Sequence, residues 1–154
     1  MWTDIQSKVI EILDGITGIE TVLNYMPVIK TLEDLREIAP LDSSGRINFW
    51  VVERISFRIN REGMNLRTQE WVHTFRVVGW IATTGDNTSY SDFQNLVESI
   101  MEALSENITM GLQNSTMVLS PNVERIDIDW LGDFMCNFTE ITIPVREIRT
   151  VNYV

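Results

Sequence analysis

The sequence predicts an α+β fold, a mostly antiparallel sheet with a long β-hairpin packed against two main helices. Two long segments, "INFWVVERISFRIN" and "QEWVHTFRVVGWIAT", alternate apolar with polar residues on either side of a polar connection, the pattern of an antiparallel hairpin. Two other segments, "DIQSKVIEILDG" and "SDFQNLVESIMEALSEN", repeat apolar residues at helical spacing. The full order is helix, strand, short helix, long hairpin, helix, then two or three strands.

In the first helix Ile5, Val9, Ile12 and Leu13 share a face, Thr3 is the expected N-cap and Gly15 the expected stop. Between Gly18 and Pro27, "IETVLNYM" is β-branched and aromatic and reads as a short strand closed by the proline. In "TLEDLREIAP" Thr31 and Asp34 form a capping box, and Pro40 stops a helix of about two turns. In the first hairpin strand Ile47, Phe49, Val51, Ile55, Phe57 and Ile59 are expected on one face, with Trp50 and Arg58 on the more polar one. The second strand sets Trp71, Phe75, Val77 and Ile81 against Val72, Arg76, Val78 and Trp80. Strands of about thirteen residues exceed roughly 40 Å, more than twice the radius of gyration of about 15 Å expected for a domain this size. The hairpin tip should therefore project.

The long helix carries an apolar stripe of Phe93, Leu96, Val97, Ile100, Met101 and Leu104, with Ser89 or Ser91 as N-cap, and is expected to lie across the sheet. "TMVLS", "VERIDIDW" and "DFMCNFTEITIPVREI" read as strands, with a tight turn at Leu131 to Asp133. In the last strand the apolar set moves from Phe134, Cys136 and Phe138 to Ile141, Ile143 and Val145, which predicts a bulge near Thr139 and Glu140. Pro144 cannot donate to a ladder, so this strand is expected at an edge, at least locally.

A length of 154 residues fits a single domain spanning 1–154. Apolar content of 44% and charged content of 22% argue against disorder. Twelve basic residues against twenty-two acidic ones leave a net charge of −10, which disfavours tight binding to nucleic acid. The start, "MWTDIQSKVIEIL", lacks the pattern of a signal peptide, and no apolar run approaches the roughly 20 residues that span a bilayer. A soluble, unexported protein is expected. Its one cysteine, Cys136, agrees with a reducing compartment, and the sequons at Asn87, Asn107, Asn114 and Asn137 follow from a composition rich in Asn and Thr.

The residues that carry chemistry are few. His73 is the only histidine and lies inside a strand without a Ser or Cys nucleophile motif nearby, which reads as a structural strand residue. Cys136 alternates with Phe134 and Phe138 and reads as core. Asp127, Asp129 and Asp133 cluster at a turn and are the nearest approach to a Ca²⁺ or Mg²⁺ site, but the calcium-loop spacing and its distal glutamate are missing. The expectation is a protein that is not an enzyme and has no cofactor or metal. A small metal- or ligand-binding α+β protein is the alternative from another class.

The hairpin is the candidate interface. Trp50 and Trp80 fall on the more polar strand faces, Met64 and Leu66 lie in the polar connection, and Arg58, Arg61 and Arg67 place basic charge on an acidic chain. Local basic charge of this kind favours docking to an acidic face, such as that of a neighbouring copy.

The succession of an N-terminal amphipathic helix, "VLNYMP", "INFWVVERISFRIN", "WVHTFRVVGWI", "YSDFQNLVESIMEAL" and "FTEITIPVREI" resembles the tail terminator, or tail-completion, proteins of long-tailed bacteriophages, over about Trp2 to Ile148. The helical insertion "TLEDLREIAPLDSSG" departs from that pattern. The resemblance implies a structural virion protein that forms a ring, a hexamer in that family, on the head-proximal end of the tail. It also implies arrest of tube polymerisation and joining of tail to head. The implied partners are further copies of the chain, the tail tube protein and a head-completion or neck protein. DNA passes through the lumen without specific binding, assembly takes place in the host cytoplasm, and no membrane is involved. Another neck or head-tail connector component is the alternative within this class.

Overall fold

The computed structural model describes residues 1–38, 46–60, 67–83, 87–113, 115–132 and 134–150, the side chains of Leu32 and Ile38 excepted. Three helices, α1 (Trp2–Asp14), α2 (Leu32–Ile38) and α3 (Asn87–Glu106), accompany six strands: β1 (Thr21–Leu23), β2 (Asn48–Asn60), β3 (Thr68–Ala82), β4 (Met117–Val118), β5 (Asn122–Leu131) and β6 (Phe134–Thr150). The sheet order is β1-β2-β3-β6, with β6 flanked on its far side by β4 and, further along, β5. Every pairing is antiparallel except β1 with β2. The fold is α+β with a mostly antiparallel sheet and a long hairpin, as the periodicities predict.

Both sheet faces are covered at the end near Trp50, but by different elements. On one face α1 and α3 pack Ile5, Val9, Leu13, Phe93, Val97 and Ile100 against Trp50, Val52, Phe75, Val77, Ile141 and Ile143. On the other, Leu35 of α2 joins Phe49, Val51, Val78, Trp80, Leu131, Cys136 and Phe138. This two-sided cover explains the change of parity in the last strand. Cys136 and Phe138 serve the α2 face, while Ile141, Ile143 and Val145 serve the α1/α3 face. No bulge in β6 is needed. The irregularity near Thr139 and Glu140 belongs to the partner strand, where Glu124 is the extra residue between Val123 opposite Ile141 and Arg125 opposite Glu140.

Pro144 lies in an interior strand, because β6 pairs with β3 on one side and with β5 and β4 on the other. On that outer side β5 reaches Thr142 and β4 begins at Val145, so Pro144 sits in the gap between the two ladders. Its carbonyl there accepts from the Leu119 N–H at 2.8 Å, and the missing N–H breaks no strand pairing. The edge expected from proline is local.

The capping box is formed: the Asp34 N–H donates to Thr31 Oγ1 at 3.1 Å and the Thr31 N–H to Asp34 Oδ2 at 3.2 Å. Two other caps differ from expectation. Helix α1 begins at Trp2 behind Met1, so Thr3 is inside it and its carbonyl accepts from Ser7 Oγ. Helix α3 begins at Asn87, which places Ser89 and Ser91 within its first turns. Pro40, Asn114 and Asp133 fall outside the described residues.

Candidate functional site

The outer half of β2 is where the hairpin loses its cover. Along β2 the residues from Asn48 to Val52 are buried and those from Ile55 to Ile59 are all exposed. The face exchange happens in one step. Arg54 pairs with Phe75 and Ser56 with Thr74, so Ile55 is an extra residue that shifts the register. Beyond it, odd-numbered residues lie on the α1/α3 face, where even-numbered ones lay before. Phe57 pairs with His73 and Ile59 with Trp71. The expected common face of Phe49, Val51, Phe57 and Ile59 is thus corrected: a single inserted residue inverts a pattern of period two.

On this face the bulge assembles an aromatic and ionic group. The rings of Phe57 and Trp71 stack with centroids 5.7 Å apart, and His73 lies 6.2 Å from Trp71. Arg54 lays its guanidinium 4.4 Å from both the Trp2 and the Phe57 rings, and Arg149 lies 3.9 Å from Trp71. Beneath them His73 is fully buried and Glu147 is only 2% exposed. Arg54 can only donate, so its contact with His73 Nδ1 at 3.4 Å leaves that nitrogen as acceptor. Nε2 then carries the proton and donates to Glu147 Oε1 at 2.8 Å. The same oxygen accepts from Arg149 Nε at 2.7 Å, and the α-amino group of Met1 lies 4.0 Å from Oε2.

Burial pushes the imidazole below its ordinary value and outweighs the opposing pull of Glu147. Burial alone would raise Glu147, but the hydrogen bonds from His73 and Arg149, with the charge of Arg149, bring it below the usual carboxylate range. The group is therefore a neutral histidine between an arginine and a carboxylate. It ties β2, β3, β6 and the start of α1 together at the base of the exposed hairpin. Four elements meet in this one buried group, the arrangement of a structural clamp. Its carboxylate was legible as an anomaly: Glu147 continues the buried row Ile141, Ile143, Val145, where an apolar residue is expected. The partners Arg54 and Arg149 carry no such signal.

Of the expected contact residues, Arg58 is exposed on the outer half of β2 and Arg67 is exposed just before β3. Arg61, Met64 and Leu66 fall outside the described residues. Trp50 and Trp80 are corrected. Trp50 is fully buried, stacks on Phe93 of α3 at 6.3 Å, and donates its indole N–H to Asn48 Oδ1 at 2.9 Å. Trp80 is buried on the opposite face, stacked on Phe49 at 5.6 Å and tilted against Phe138 at 5.3 Å. Two-sided cover turns a strand's "polar" row into a second core row, and both indoles are spent inside the chain.

The aspartates of β5 do not converge. Asp127 accepts from the N–H of Ile128 at 2.7 Å, Asp129 pairs with Arg125 at 3.1 Å, and among the described residues no three His, Cys, Asp or Glu side chains could hold a metal ion. Cys136 is buried, and desolvation pushes its thiol up to about 11. Asn137 is also buried and donates to Ser89 Oγ at 3.1 Å. An open hollow between α3 and the loop before β1 is lined by Gly18, Asn48, Ser89, Asp92 and Asn137. Among the described residues no helix is long and apolar enough to cross a membrane. No family model matches the chain, and no curated protein matches it.

Proposed function

We propose that this chain is a structural subunit of a phage tail, one that joins further copies in a ring, caps the head-proximal end of the tail tube and offers the other ring face to a neck protein. The observation that carries the reading is the hairpin. Its strands run 13 and 15 residues, and past Arg54 the outer strand leaves the core with Ile55, Phe57 and Ile59 between 37% and 51% exposed. Exposed apolar residues in a row along one strand are ordinary for a surface that another chain covers.

The clamp of His73, Glu147, Arg54 and Arg149 supports the same reading. It ties the outer half of the hairpin to β6 and α1, which suits an element that must present a fixed shape to a neighbour. The net charge of −10 suits a ring that DNA slides through. The reading is tested by immunogold labelling of virions with antibody to this chain. Label at the head-proximal end of the tail is expected. Label on the capsid, at the distal tip, or none on the virion overturns it.

A further inference from the structure

We infer that the open edge of β2 in one copy pairs with the open edge of β5 in the next, so that the sheet continues from copy to copy with Arg58 set against Asp127 and Asp129. Among the described residues the topology leaves these two edges open. β1 covers the outer edge of β2 only at Phe49, Trp50 and Val51, and Gln6 Nε2 caps the Val52 carbonyl at 2.8 Å. From Ile55 to Ile59 no described strand pairs with that edge, and among the described residues β5 pairs with β6 alone. Unpaired edges of this length template another strand unless something blunts them.

What each edge presents is complementary, and on matching faces. Register places Phe57 and Ile59 on the α1/α3 face and Arg58 on the other. In β5, Ile128 pairs with Asn137 and Trp130 with Met135, on the α1/α3 face, while Asp127 and Asp129 pair with Phe138 and Cys136, on the α2 face. The exposed apolar residues of β5 are Ile128 at 45% and Trp130 at 62%. Joined without turning either copy over, the two edges thus set apolar beside apolar on one face and the arginine beside the aspartates on the other. Direction fits as well. β2 and β5 run opposite ways within a copy, since both β2 and β6 oppose β3 and β5 opposes β6, so the new pair is antiparallel.

Such a contact uses two different edges and is heterologous, the kind that closes into a ring or climbs into a filament. The open part of β2 is level with Val145 and Arg146 of β6, whereas β5 lies along Phe134 to Thr142. Copies joined at these edges are staggered along the strands, and strands in the assembly run steeply to its axis, as in a barrel with shear. The inference rests on the two edges; the tail-cap reading supplies only the expectation that the assembly closes.

The test is an exchange of charges at Arg58, Asp127 and Asp129, read by sedimentation velocity and electron microscopy. Wild type is expected to form a large species whose share grows with concentration. Arg58→Asp alone and Asp127→Arg/Asp129→Arg alone are each expected to stay monomeric with unchanged circular dichroism. Mixed together they are expected to assemble, because each then meets an edge of opposite charge. A wild type that remains monomeric up to its solubility limit overturns the pairing and leaves the tail-cap reading to the labelling experiment. Assembly that neither variant weakens overturns the pairing while leaving the ring intact.

Discussion

At the scale of single residues, close contacts decide what can be replaced. Gly79 lies directly across from Trp50, and a Cβ built there would stand inside the indole. Gly79→Ala must push Trp50 off Phe93 and off its hydrogen bond to Asn48, so a loss of about 1–3 kcal/mol is expected in urea denaturation, typical for overpacking. His73 gives a pH signature. Its folded-state value is lowered from 6.5, so below about that pH the unfolded chain takes a proton that the folded chain refuses. Glu147 is lowered from 4.5 in the fold, and its share of stability goes as pH falls through that lower value. The melting temperature is expected to decline in two stages, from about pH 6.5 and again below about 4.5. His73→Gln keeps a donor for Glu147 and an acceptor for Arg54 without titrating, and should abolish the first stage alone; an unchanged first stage would show that His73 is not its source. The histidine and its strand were legible in the sequence. Its burial was not, because the covering groups come from β2, β6 and α1.

At the scale of elements, periodicity located each helix and long strand, and failed where one residue changes the phase. Ile55 is the case in point. Inserting one further residue between Ser56 and Phe57 should realign the outer half of β2, turning Phe57 and Ile59 away from Trp71 and His73 and bringing Arg58 onto their face. Near-ultraviolet circular dichroism should lose the Trp71 contribution and the melting temperature should fall, with the far-ultraviolet spectrum kept. An insertion variant with wild-type aromatic signals would mean that the hairpin absorbs the change elsewhere. β6 teaches the converse. Its change of parity looks like a bulge when one core is assumed, but the strand is regular and the cores are two. The bulge sits at Glu124 on the neighbour, and only the pairing between strands can show on which strand an extra residue lies.

At the scale of the whole molecule, net charge and strand edges bear on the proposed partners. With a charge of −10 the chain is expected to give no mobility shift with linear duplex DNA at physiological salt, while saturable binding there would contradict a lumen that lets DNA slide. By itself the sequence determined the element types, the antiparallel hairpin, the α2 capping box, the acidic character and the scarcity of reactive groups, since each follows from spacing or composition within one segment. Only the tertiary structure decided that Trp50 and Trp80 are core, that His73 and Glu147 share a buried clamp, and which edges stay open among the described strands. The physical reason is the same for all three: burial, pairing and exposure of a strand residue depend on what distant segments lay against its two faces and its edge. A single strand's alternation records that two faces differ and is silent on what covers either one.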